Sequence, residues 1–517
     1  MKRCPTCNRI EKDDALVFCR ADGTRLVSGA PDTESAATLA LPAVGPSADQ
    51  PTSQSDSKPS IAVLPFLNMS ADPENEYFCD GLAEDLLNAL GKINDLKVAA
   101  RTSSFSFKGK SVNVDEIGRT LHVNTILEGS ARRVGNRMRI SVQLINASDG
   151  YHLWSERYDR EITDIFDVQD EITLAVTEAL KVKLLGEEKS AVLKRYTDNA
   201  EAYQLYLRGR FFHSKRTPEG FTKAIGYFEQ AIQIDSEYAL AYSGLADCHV
   251  FLGFYEVVWP TEVKKHLKPL AYKALQLDDT LAESWVSVGY CNLMYEWKFR
   301  EAHRDYKKAV ALNPKYAFAH HLGAGALIFL RLNDEAIAAI KRAIELEPFT
   351  TVFNGVFGWW LYISRRNDEA ITQSRKTIEI APNHFFSYWV IGMAYAKSGE
   401  YENSIAALEN GIALTDGSQH IRAELGRVLA ASGEREAAHT LLAELNEQAK
   451  TGYVSAVNLA KIYLGLGDHE RVFDLLEKAF DERAVKLPWF LIDPALDELR
   501  SDPRFTELLR RVGLPNE

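Results

Sequence analysis

The sequence has no uninterrupted apolar run of about 18 residues, the length a membrane-crossing helix needs, so no transmembrane span is read. Its N-terminus lacks an apolar stretch ahead of a small-residue cleavage site, so no secretory signal is expected. Six cysteines in 517 residues are too few for a disulfide scaffold, which favours a reducing, cytoplasmic location. The net charge of -12 argues against bulk binding to nucleic acid or anionic lipid. Catalytic constellations are also missing. No Ser/His/Asp or HExxH arrangement is visible. FKGKS at 107–111 ends like a phosphate-binding loop, but that loop needs Gly at 104, where Ser104 stands. An enzyme is not expected.

What is present is ordinary soluble composition, 46% hydrophobic and 26% charged, in a chain long enough for three or four domains. The expected fold class is multidomain: a small zinc ribbon, an α+β domain and an all-α solenoid.

Residues 1–27 contain Cys4-Pro-Thr-Cys7 and Cys19-Arg-Ala-Asp22-Gly23. The first is the usual form of a zinc knuckle. The second has the spacing of another, with Asp in the last ligand slot. Gly23 and Asn8 sit where a knuckle tolerates positive φ. Asp is an accepted zinc ligand. The expected metal set is therefore Cys4, Cys7, Cys19 and Asp22 around a structural zinc. The competing reading is a degenerate ribbon that has lost its metal. So small a unit has too little core to fold without it. Residues 28–58 are rich in Ser, Pro, Ala, Thr and Asp without a periodic apolar face, and read as a disordered linker.

Residues 59–185 mix strands and helices. SIAVLPF (60–66) reads as a buried strand and LKVAA (96–100) as a second. Residues 80–93 place Leu82, Leu86, Leu87 and Leu90 on one helical face, with Asp80 as N-cap. VDEIGRTL (114–121) reads as a short helix. Residues 124–159 read as a β-meander with a hairpin turn at Val134–Arg137. Residues 167–184 read as an amphipathic helix, its acidic start (Asp167, Asp170, Glu171) matched to the helix dipole. Lys97, Arg101, Lys108, Lys110, Arg119, Arg132, Arg133, Arg137 and Arg139 make the region locally basic. This is either a solvated face or a docking patch for an acidic partner.

From 199 to 487 the chain repeats. Pro314, Pro348 and Pro382 are 34 apart, as are Gly358, Gly392 and Gly426, and Gly399, Gly433 and Gly467; Ala302, Ala336 and Ala370 keep the same step. Each unit reads as helix A, a turn, helix B and a Pro-containing exit. The pattern resembles the tetratricopeptide repeat (TPR), whose period is 34. About eight units are expected, the second lengthened around FYEVVWPTE (254–262). Residues 488–517 read as a terminal cap over the last apolar face.

TPR arrays resemble one another in presenting helix A along a groove. Here the positions that hold a carboxylate clamp in some TPR proteins carry Phe318, His321, Trp359, Phe386 and Trp389, so a clamp is not expected. Tyr362 extends the same face. These six are the candidate partner-binding residues, for an apolar or aromatic-binding segment of a protein partner or for a second copy of the chain. The alternative is that they pack between repeats or against the middle domain. Cys79, Cys248 and Cys291 read as small core thiols.

Residues 60–180 resemble the bacterial TolB amino-terminal-like (FlgO-like) domain. The resemblance is carried by SIAVLPFLNMSADPENEYFCDGLAEDLLNAL, ARTSSFSFKGK, ILEGSARRVGNRMRISVQLINASDGYHLWSERYDR and DIFDVQDEI. It implies a module that continues into TPR arrays, attached in relatives to an adenylate cyclase, a CadC-like transcription factor or a kinase. No such output domain is visible here. The function expected is a non-enzymatic protein-interaction scaffold. The alternative is a regulatory subunit acting in trans on such a signalling protein.

Overall fold

The computed structural model describes the chain apart from residues 1, 4–9, 12–26, 29–57, 73–74, 185, 256, 416 and 517. It divides into two units, residues 1–57 and 58–517.

In the first unit, β1 (Lys2–Arg3) pairs antiparallel with β2 (Ile10–Glu11) and β3 (Val27–Ser28), giving the order β2-β1-β3. In sequence, Cys4 and Cys7 fall between β1 and β2, and Cys19 and Asp22 between β2 and β3. All four lie outside the described residues.

The second unit begins with a mixed sheet. β4 (Ser60–Val63) is apolar after Ser60 and is buried on both faces. It lies parallel to β6 (Lys97–Val98) on one side and to β7 (Thr125–Val134) on the other. β7, β8 (Arg137–Asn146) and β9 (His152–Glu161) form the expected meander, in the order β6-β4-β7-β8-β9, with β5 (Leu67–Asn68) added beside the far end of β7. Gly135, at φ 58°, makes the β7–β8 turn, a conformation that L side chains resist.

α1 runs Glu76–Gly91, one turn earlier than the sequence suggested. Tyr77, Phe78 and Cys79 are buried and extend its apolar face. Asp80 is therefore interior, not the N-cap, and its carboxylate accepts from Lys108 Nζ at 2.6 Å. α2 (Arg101–Phe105) was not foreseen; α3 covers Val114–Leu121 as expected. α4 (Ile165–Ala179) stops before Leu184, with Lys181 left-handed at φ 55° just beyond its end. The acidic start of α4 has more than a dipole to face: Arg195 donates to Asp167 at 2.7 Å and to Asp170 at 2.6 Å. α5 spans Gly186–Val192.

Eight helix pairs follow: α6 (Ala200–His213) with α7 (Pro218–Ile234), α8 (Ala239–Phe254) with α9 (Pro260–Leu277), α10 (Ala282–Tyr290) with α11 (Phe299–Leu312), α12 (Ala317–Phe329) with α13 (Asn333–Leu346), α14 (Thr351–Ile363) with α15 (Asn367–Ile380), α16 (Phe385–Lys397) with α17 (Tyr401–Ala413), α18 (Gln419–Ser432) with α19 (Arg435–Gln448), and α20 (Ala456–Leu466) with α21 (His469–Asp481). A π-helical turn, Cys291–Tyr295, extends α10. Gly392 shows why the small column exists: a Cβ there would stand 2.6 Å from Leu408 on the paired helix.

The turn between helices A and B is left-handed in six successive repeats: Trp297, Arg331, Arg365, Gly399, Gly433 and Gly467, each 34 residues from the next, all have positive φ. The glycine column visible in the sequence is the half of this set where the cost of the conformation is relieved. In the other half, Trp or Arg carries it.

The sheet domain and the first repeats share one core. A continuous apolar cluster runs from Ile61 and Leu82 through Val176, Tyr203 and Leu207 to Phe228 and Leu252. Gly81 permits the closest approach, since a Cβ there would stand 2.6 Å from Leu207. The chain ends in α22 (Leu487–Leu491), a 3-10 turn at Pro494–Leu499 and α23 (Pro503–Val512). α23 packs on α21, where Arg504 and Arg511 pair with Glu470 and Glu477. Among the described residues, no helix is long and apolar enough to cross a membrane.

Candidate functional site: an aromatic groove

Helices α12, α14 and α16 are apolar on nearly every side, as helices are when they are covered from several directions. They set an aromatic wall. Trp359 stacks on Trp360 at 4.8 Å and meets Trp389 and Phe386 edge-on at 5.4 and 5.7 Å. Phe318 contacts His321 at 5.6 Å, and His321 contacts Phe353 at 4.9 Å. Trp359, Phe386 and Trp389 thus form one aromatic group on this wall, and Phe318 and His321, with Phe353, form a second.

That surface is filled by the chain itself. Past α21 the segment 487–499 crosses to these helices. Trp489 places its ring 3.9 Å from Phe329, 5.0 Å from Trp359 and 5.3 Å from Trp360, centroid to centroid. Gly325 lies beneath it, where a Cβ would touch the indole at 3.4 Å. Four residues on, Asp493 accepts from Tyr362 Oη at 2.7 Å. Four further, Asp497 accepts from Arg365 at 2.5 and 2.8 Å and from Lys397 at 2.8 Å, while Lys397 also donates to the Pro494 carbonyl at 2.8 Å. Phe490 lies under the Lys461 ammonium, which also covers Trp389. Trp359 is 9% exposed, Trp389 3% and Tyr362 1%; Phe318, His321 and Phe386 are half-buried.

The electrostatics follow from this packing. Burial pushes the Asp497 carboxyl up, but hydrogen bonds from Arg365, Lys397 and Arg500 outweigh it and hold the group well below the usual range. Burial and nearby Arg216 lower His321 to about 4, so it is neutral at pH 7. Behind the groove, Lys461 Nζ meets Glu424 at 2.9 Å and Arg427 Nε meets its other oxygen at 2.7 Å. This pair of cations outweighs burial and carries Glu424 down to about 2.

A second polar network joins α1 to α6. Glu84 accepts from Arg101 at 2.8 Å and from Arg210. Asp85 accepts from Tyr203 and, at 3.1 Å, from Gln169. Burial, opposed by those hydrogen bonds, raises Asp85 to about 6. The sheet domain also reaches the middle repeats, where Thr102 bonds Glu347 at 2.9 Å and Lys315 donates to the Gly91, Ile93 and Leu96 carbonyls.

Four of the nine basic residues of the sheet domain pair with carboxylates within it, Arg101 with Glu84 among them. Lys108 meets Glu76 and Asp80, Arg119 meets Asp115, and Arg139 meets Asp159. Cys79, Cys248 and Cys291 are free and buried, and burial pushes Cys79 to about 12 and Cys291 to about 11. These thiols are poor nucleophiles. A groove of about 650 Å³ along α9 is lined by Pro260, Lys264, Lys268, Tyr272 and Arg483, with no carboxylate beside a nucleophile. Among the described residues no cluster of three or more His, Cys, Asp or Glu could hold a metal ion.

The residues missed from sequence are Trp489, Asp493, Asp497, Arg365 and Lys397. The last two stand in the helix A column and its turn. The signal available was the run Leu487-Pro-Trp-Phe-Leu-Ile-Asp493, too apolar and aromatic for a solvated cap.

Comparison with known proteins divides along the same lines. Residues 56–174 match the model described as HilA/YgeH-like transcriptional regulator, second domain, and residues 387–416, covering α16 and α17, match the tetratricopeptide repeat. The chain thus carries TPR units. A protein of Rhizobium meliloti (strain 1021) named "Putative adenylate cyclase 3" is 44% identical over 199 residues, 38% of this chain. The match spans about a third of that relative, 34% of its length. Among solved structures, YrrB, described as a TPR protein with an unusual peptide-binding site, is 23% identical over 37% of this chain and 92% of its own, with a TM-score of 0.26. The APC/C hetero-tetramer Cut9-Hcn1 is 17% identical over 68% of this chain and 63% of its own, with a TM-score of 0.40. TPR proteins are in general protein-interaction scaffolds.

Proposed function

We propose that this protein is a non-enzymatic interaction scaffold in which the TPR superhelix supplies the binding surface and the sheet domain, of the TolB amino-terminal-like (FlgO-like) kind, a second docking or sensory element. The observation that carries the reading is the aromatic wall of α12, α14 and α16, whose Trp and Phe side chains are of the kind that anchor an apolar peptide segment. The groove is rich in Trp. Its partner-binding set is Phe318, His321, Trp359, Tyr362, Phe386 and Trp389.

A more specific form has its own support. The match of residues 56–174 to part of a transcriptional regulator, and the relative named as an adenylate cyclase, favour a regulatory subunit working in trans on a signalling protein. Co-purification of the full chain with a protein carrying a cyclase, kinase or DNA-binding domain is the expected result. Isolation of the full chain from its native source without such a protein bound would count against this form.

The N-terminal unit adds a structural zinc held by Cys4, Cys7, Cys19 and Asp22, a donor set of three thiolates and one carboxylate that suits the ion. Metal analysis of dialysed full chain should find about one zinc per chain, and less in Asp22→Ala.

A further inference from the structure

The segment that fills the groove also describes what the groove recognises. Trp489 enters the aromatic pocket, Asp493 meets Tyr362, and Asp497 meets Arg365 and Lys397. Anchor and carboxylates are spaced four residues apart. Arg365 holds its place from a left-handed turn, φ 63°, where Gly399, Gly433 and Gly467 stand in later repeats. A non-glycine residue at that φ carries strain, and here its guanidinium makes a bidentate contact with a carboxylate.

The fit is incomplete. On the groove side, the buried indole N–H groups of Trp359, Trp360 and Trp389 have no acceptor among the described residues. Buried donors normally find one, and a buried donor left unmatched weakens the packing around it. The internal occupant thus satisfies the apolar and ionic demands of the groove but not its hydrogen-bond donors. A peptide whose backbone carbonyls reach those donors can compete with it.

We infer that residues 487–499 are an internal ligand that holds the groove shut, and that the groove takes, in exchange, a segment of another protein built on the same plan: an aromatic anchor followed at four-residue steps by carboxylates. This rests on the scaffold reading above and names its ligand. Closure in cis lowers the apparent affinity for such a segment by the fraction of molecules that are open.

The test uses the full chain and a fluorescent peptide of residues 487–499, beside the same peptide with Ala in place of the tryptophan. Wild type should bind weakly. Trp489→Ala, with helicity retained, should bind at least about tenfold more tightly. Adding Trp359→Ala to that variant should abolish the gain. Should Trp489→Ala lose helicity, Asp497→Asn leaves the aromatic packing intact and should show the same direction of change. Equal binding by wild type and a folded opened variant would overturn the inference, as would indifference to the peptide's tryptophan. The scaffold reading fails separately: a signalling partner held equally well by wild type and Trp359→Ala sinks the groove assignment alone, leaving a scaffold that works through another surface.

Discussion

Trp489 and Trp359 lie 5.0 Å apart, ring to ring, although 130 residues separate them. The contact ties the end of the chain to the fifth repeat and closes the groove between. Truncating a buried tryptophan usually costs about 3–5 kcal/mol. Trp489 is half-buried, so Trp489→Ala should cost about 2–4 kcal/mol. Denaturant unfolding followed by helicity measures it. A cost under about 0.5 kcal/mol, the level of an ordinary surface substitution, would mean the ring does not seat in the groove.

Glu424 is buried between Lys461 and Arg427, and Lys461 is only 2% exposed. Removing one partner of a buried set strands the other, at about 3–5 kcal/mol. Glu424→Ala should therefore destabilise by that amount. The carboxyl stands at 4.5 in its ordinary state and at about 2 when folded. Its folded pKa is depressed, so its contribution is present above pH 4.5 and lost as the pH falls toward 2. Acid unfolding of Glu424→Gln should show a shallower decline across that window.

Asp85 has the opposite sign. Its folded pKa, about 6, lies above the ordinary 3.8. Between those values the folded state binds more protons than the unfolded one, so stability falls as the pH rises from about 4 to 6. The slope from this group is at most about 1.4 kcal/mol per pH unit. Asp85→Asn should flatten that part of the stability profile. An unchanged profile would show that Asp85 is already ionised there.

The sheet domain cannot be removed at no cost to the repeats. Tyr203, Tyr206 and Leu207 of α6 are buried in a core shared with α1 and β4. A fragment beginning at residue 199 leaves that apolar face uncovered. It should aggregate or melt well below the full chain. Size-exclusion chromatography and thermal unfolding check this; a monomeric fragment as stable as the full chain would contradict the shared core.

Much of the secondary structure was legible because it follows local periodicity. The meander, α3 and the eight helix pairs all come from apolar spacing and a fixed 34-residue step. What stayed hidden depends on contacts distant in sequence. Gly399, Gly433 and Gly467 advertise their left-handed turns, whereas Arg331 and Arg365 hold the same turn without a glycine to mark it. Asp80 resembled an N-cap because it stands just before the leucine stripe, but the helix starts a turn earlier, with Asn75 and Glu76 as its polar start ahead of the buried Tyr77, Phe78 and Cys79. The groove aromatics were nominated by register alone. Their occupant was not, because the apolar run at 487–493 signals burial but does not say which repeats it folds back over.

The most direct test of the account is hydrogen exchange on the full chain, wild type against Trp489→Ala. If the C-terminal segment closes the groove, amides of α14 (Thr351–Ile363) and α16 (Phe385–Lys397) should exchange faster in the variant, while α6 and α7 keep their protection. Unchanged protection of α14 and α16 would contradict it.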